Sequence, residues 1–268
     1  HARTVAATRM VRVPAPPETP MRTANPILRA DTFDVRADTD QSRMTILGTV
    51  HKTGFLVLIV FAVAMWLWKE FPVSRGAIPA GLYPWLIGGL IGGFVTAIVT
   101  GFKKEIAFVT APLYAACEGV VLGAISALFD AIYPGIAIQA TGLTAATLLA
   151  LLFAYRSGLI KATENFKLGV TAATGAIFLM YLASWILGMF GVSLPFLHGN
   201  GVLSIGISMV IVVIAALNLV LDFDFIEQGQ EKGAPKHMEW YAAFGLLVTL
   251  VWLYIETIRL LAKLQSRD

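Results

Sequence analysis

The stretch Ile46–Trp68, ILGTVHKTGFLVLIVFAVAMWLW, decides the fold. Beyond Lys52 it carries no charge until it ends at Trp66 and Trp68, which are followed by Lys69 and Glu70. About 20 helical residues, each rising roughly 1.5 Å, cross the roughly 30 Å of hydrocarbon in a bilayer. The segment is long enough, and its aromatic and charged end is the boundary expected at a membrane interface. It predicts a transmembrane helix.

Further apolar spans follow at about 82–102, 106–129, 132–155, 168–190, 201–222 and 240–262. Proline and glycine clusters around Pro72, Pro79, Pro134 and Pro195 punctuate the connections. The expectation is an all-α polytopic membrane protein, with seven transmembrane helices in one domain over residues 46–264. Small residues recur four apart, as Gly88 with Gly92, Gly89 with Gly93 and Gly119 with Gly123, a spacing that lets helix backbones approach closely. Residues 1–45, rich in Pro, Thr, Arg and Asp, read as a disordered cytosolic tail, and 265–268 as a short second tail. The mixed segment Met21–Met44 also suits a short interfacial helix.

Composition agrees. The 268 residues are 57% hydrophobic and 14% charged, with a mean hydropathy of +0.74, whereas soluble domains are about a quarter charged. Twenty Lys and Arg against seventeen Asp and Glu give +3 and a pI near 9.0. In so apolar a chain this reflects basic membrane flanks and not a nucleic-acid surface. A single cysteine, Cys117, excludes a disulfide within the chain and a cysteine-based metal site, and reads as a small buried residue. The tail arginines with Lys103, Lys104, Arg156, Lys161, Lys167, Lys232 and Lys236 outnumber Lys69, Arg75, Arg259, Lys263 and Arg267 on the other side. That bias predicts a cytosolic amino terminus, and the seven apolar spans lead to the expectation of a multi-pass protein of the inner (plasma) membrane.

Ionisable groups within the spans are the candidates for function, because a charge in hydrocarbon costs several kcal/mol unless it is paired, protonated or facing water. Glu118 lies mid-helix in APLYAACEGVVLGAIS. Asp222 and Asp224 close the sixth span in AALNLVLDFDFIE, and Glu256 lies in the seventh in LVWLYIETIRLL. Each has a plainer reading. Glu118 serves as a hydrogen-bonded structural group, Asp222 and Asp224 as boundary residues, and Glu256 as a local partner of Arg259 or Lys263. Calcium prefers carboxylate and carbonyl oxygens in sets of six to eight. Glu118, Thr249 and Asp222, if their helices are neighbours, line one polar path without forming a high-affinity metal site. No enzyme is expected: His51, His198 and His237 fall at span ends or loops, HExxH is absent, and Lys263 is too near its end to hold a retinal. No cofactor is expected either.

The Glu118–Gly119 and Leu122–Gly123 pairs, the Asp at the end of the sixth span and the pattern AFGLLVTLVWLYIETIRLL resemble the Bax inhibitor-one family of seven-helix proteins over about residues 46–264. TANPILRADTF and MTILGTVHKTG are more narrowly similar to a bacterial branch with a long amino-terminal tail. The resemblance implies a fold with the seventh helix central and a pH-sensitive calcium leak. It also implies two acids, on helices six and seven, that share a proton and hold a pore shut through a basic residue of helix two. The first acid carries over to Asp222. The second position falls on Thr249, with Glu256 two turns along the same face, and the basic candidates are Lys103 and Lys104. The alternative is a non-conducting regulator of a membrane protease or another membrane complex, touching its partner through the tail and the loop from Phe225 to Met238.

Overall fold

The computed structural model describes residues 43–73, 79–192, 194, 197 and 199–266. Seven helices run in order: α1 (Ile46–Glu70), α2 (Leu82–Phe102), α3 (Ala107–Ile132), α4 (Ile136–Arg156), α5 (Glu164–Met189), α6 (Val202–Glu231) and α7 (Met238–Gln265). A 3-10 turn, Lys104–Ile106, joins α2 to α3. All seven helices are long and apolar enough to cross a membrane, and among the described residues there is no strand beyond an isolated bridge between Arg43 and Pro235. The end of the bundle where α1 begins and α6 finishes is called proximal here, and the opposite end distal.

Local chemistry sets the helix ends. The Thr45 hydroxyl caps α1 by accepting from Gly48 N, and Thr163 caps α5 by accepting from Phe166 N. Gly158 and Gly233, at φ 75° and 68°, close α4 and α6 in the left-handed conformation that only glycine adopts without strain.

Helix α7 is central, as the resemblance implies: it packs on α1, α3, α4 and α6 and is the most buried of the seven. Lipid supplies no hydrophobic drive between helices, so close backbone approach carries the packing. A Cβ at Gly123 would lie 2.8 Å from Ala64 Cα, so α3 sits directly on the backbone of α1. Gly89 and Gly93 bring α2 onto α3 beside Cys117 and Glu118, whereas Gly88 faces open space.

Three sequence boundaries shift. Helix α6 does not end at Asp222 but continues to Glu231, because Phe225, Ile226 and Gly229 are buried and Gln228 donates to Asp224 Oδ2 at 2.6 Å, one turn back. Half of the expected contact loop 225–238 is therefore helix. Helix α5 starts at Glu164, ahead of residue 168, because Thr163 supplies its cap. Residues 43–45 are docked rather than part of a tail: Met44 is 1% exposed and its N–H donates to Ala234 O at 2.7 Å. The expectations for residues 1–42, Pro195 and 267–268 lie outside the described residues.

Candidate functional site

Charged and polar side chains gather along one stripe of each of the last three helices. On α7 the positions Glu239, Leu246, Thr249, Leu253, Glu256 and Lys263 recur at intervals of three, four or seven, and all are buried. The stripe is a single face of a 3.6-residue helix. On α6 the same rhythm gives Ser204, Ser208, Ala215, Asn218 and Asp222, again all buried. On α5 it gives Lys167, Thr174 and Tyr181, seven residues apart.

These stripes face one another, as their hydrogen bonds show. At the proximal end Lys167 Nζ lies 2.8 Å from Asp224 Oδ2 and 3.4 Å from Glu164 Oε1. One step inward, Asn218 Nδ2 donates to Thr174 Oγ1 at 2.9 Å. Further along, the Tyr181 hydroxyl lies 3.0 Å from both Glu256 oxygens, and Arg259 Nη1 donates to Tyr181 at 2.7 Å and to Glu256 Oε1 at 3.0 Å. Near the distal end Lys263 Nζ donates to Leu197 O and Ser208 Oγ, each at 2.7 Å, and to Ser204 Oγ at 2.8 Å. The result is a polar column running most of the length of the bundle. In so dry a setting each of these bonds is electrostatically stronger than in water, and each group would be costly if left unmet.

Asp222 is 0% exposed. The pairing of Lys263 with Ser204 and Ser208 fixes the antiparallel register of α6 and α7, and puts Asp222 level with Leu246–Thr249. Thr249 is 3% exposed and returns its hydroxyl to Gly245 O at 3.4 Å. Glu256, at 2% exposure, is engaged by Tyr181 and Arg259, so its expected local partner is present.

The other sequence candidates lie elsewhere. Glu118 is half-buried, accepts from the Tyr114 hydroxyl, and faces α2, where a Cβ on Gly93 would sit 3.3 Å from its Oε1. Helices α3 and α6 share no extensive interface, whereas each packs on α7, the helix that carries Thr249. Tyr114 of α3 makes an edge-on contact with Phe244 of α7, 4.9 Å between ring centroids. Lys104 stands over the Tyr241 ring at 5.7 Å, which is about 9 Å proximal to the level of Asp222. Among the described residues neither Lys103 nor Lys104 forms an ion pair.

Sequence reasoning missed the basic partner that α7 does have. Glu239, 1% exposed, accepts from Lys52 Nζ and from Thr45 N at 3.0 Å and Thr45 Oγ1 at 2.9 Å, which ties the start of α1 to the start of α7. The signal was available, since Glu239 begins the same stripe that carries Thr249, Glu256 and Lys263. Among the described residues no three His, Cys, Asp or Glu side chains come together as a metal site.

A family model described as Bax inhibitor 1 like matches residues 25–266 of the chain. Neither the curated proteins nor the solved structures give a significant match.

Proposed function

The chain belongs to the Bax inhibitor 1 like family, and on that premise we propose that it is a pH-sensitive leak for calcium or other cations in the bacterial inner membrane, its amino terminus cytosolic. The observation that carries the reading is Asp222, a carboxylate with no exposed surface inside a helix apolar enough to span the membrane. A carboxylate at that depth is retained at a cost of several kcal/mol, and such residues mark ion or proton routes by default. Its level with Thr249, in the column that continues through Glu256, supports a route between α5, α6 and α7.

In this reading Asp222 is the gate, and protonation by cytosolic acid loosens the contact that holds the path closed. Glu118, which faces α2, is a structural acid or part of a separate branch. Cations pass without a dedicated high-affinity site, and no catalytic step is assigned to the chain. The test is calcium flux from pH 5 to 8 in liposomes that contain the purified chain and no other protein. The wild type should leak, more so in acid, and Asp222→Asn should leak more with less dependence on pH. Equal pH sensitivity in the two proteins overturns the gate. No flux at any pH overturns the leak itself, and favours a non-conducting regulator of another membrane protein.

A further inference from the structure

A cleft of about 950 Å³ opens at the proximal end between α1 and α4, with α6 as its floor. Its volume is at the upper end of small-molecule sites, which run to about 1,000 Å³. The α1 wall is formed from Ile46 to Val57, which spans about 16 Å at 1.5 Å per residue. That is about half of a roughly 30 Å hydrocarbon core, the depth of one leaflet. Helices α1 and α4 share no extensive interface, so the cleft is open toward the lipid along this length. A Cβ built on Gly54, inside the wall, would meet no heavy atom within 4 Å.

The two ends of the cleft differ in chemistry. Its inner part is apolar, with Val57, Leu148, Leu149 and Leu246. Its mouth carries Arg156 and Lys161, both exposed, and neither forms an ion pair among the described residues. Of the acids in the lining, Asp224 is neutralised by Lys167 at 2.8 Å, and Glu227 accepts from the Tyr155 hydroxyl and keeps its charge. Two basic side chains against that one carboxylate leave the mouth net positive.

We propose that this cleft is a binding site for an anionic phospholipid of the proximal leaflet, with its phosphate against Arg156 and Lys161 and one acyl chain laid between α1 and α4 toward the bilayer centre. The match is twofold. An unfilled slot in a membrane protein forfeits dispersion contacts on both walls, and an acyl chain restores them. Basic side chains at the interface attract anionic headgroups and do little for zwitterionic ones. The site does not depend on the leak reading, since it requires neither flux nor Asp222.

Native mass spectrometry of the full chain tests the proposal, using phosphatidylglycerol and phosphatidylcholine with identical acyl chains. The wild type should retain phosphatidylglycerol preferentially. Arg156→Gln with Lys161→Gln should lower that affinity by on the order of tenfold and leave phosphatidylcholine unchanged. Gly54→Leu, which adds a side chain where the cleft is open, should lower retention of both lipids without loss of fold. Equal retention of the two lipids by the wild type overturns the headgroup assignment. Undiminished retention in both the double variant and Gly54→Leu overturns the site. No bound lipid at all also overturns it, and leaves the cleft to the chain's own residues 1–42 or to another protein. Flux measured on the same preparations separates this site from the leak.

Discussion

Lys263 Nζ lies 2.7 Å from Ser208 Oγ, two residues 55 apart in sequence, and Leu197 O and Ser204 Oγ complete three close acceptors for its three ammonium protons. The group is buried with neutral oxygens, so each bond is charge-assisted and none is replaced by water when broken. The contact joins α7, α6 and the connection that precedes α6 at the distal end.

Replacing the ammonium while keeping the stem isolates that role. Lys263→Met should cost about 1–3 kcal/mol, because the Leu197 carbonyl loses its donor and both serines must turn back to their own helix. Thermal unfolding in detergent would report it as a lower midpoint. Lys263→Arg should not restore stability, since a planar guanidinium cannot place three donors in the tripod that the ammonium fills.

The Lys52–Glu239 pair predicts a measurable coupling. Glu239 is buried and Lys52 partly exposed, so Glu239→Gln and Lys52→Met should each destabilise by about 1–3 kcal/mol. In the double variant the loss should be smaller than the sum, because removing either partner strands the other. Strict additivity in a double-mutant cycle would mean the two charges do not stabilise each other.

Glycines with the same sequence spacing should respond oppositely. Gly123→Ala places a Cβ 2.8 Å from the Ala64 backbone and should cost about 1–3 kcal/mol by forcing α3 off α1. Gly88→Ala meets nothing and should be neutral, or stabilise by up to about 1 kcal/mol through helix propensity. Matching losses for both would contradict the α1–α3 contact.

Asp224 cannot serve as a silent control for Asp222. Asp224→Asn leaves the buried ammonium of Lys167 with only the exposed Glu164 carboxylate, and should lower stability by about 1–3 kcal/mol. Adding Lys167→Met should recover much of that loss. Flux comparisons between the two Asp→Asn variants therefore need to be normalised to the folded fraction, read from a thermal melt of each.

The seven spans were legible because hydrocarbon thickness imposes one length and one composition on each of them. The end of α6 was not, because the charges of Asp222 and Asp224 read as a membrane boundary, although the backbone hydrogen bonds continue to Glu231. Glu118, Asp222, Asp224 and Glu256 stood out in the letters, and so did Arg259 as the local partner of Glu256, but Glu239 and the long-range partners did not. Lys52 reaches Glu239 across 187 residues and Lys263 reaches Leu197 across 66, separations at which no local spacing carries information. For Glu118 the depth was readable, but its place beside Gly93, on another helix, was not.

The seam of α5 has one more implication. Only Lys167, Val170 and Ile177 of this helix are buried, and Lys167, Thr174 and Tyr181 fasten it through polar bonds, so its attachment relies on the absence of competing water more than on packed volume. A thinner, wetter bilayer offers that competition, and a thicker one withholds it. Helix α5 is thus the element through which membrane thickness acts on the bundle: amide exchange along it should quicken in short-chain lipid while α7, enclosed by four helices, stays protected.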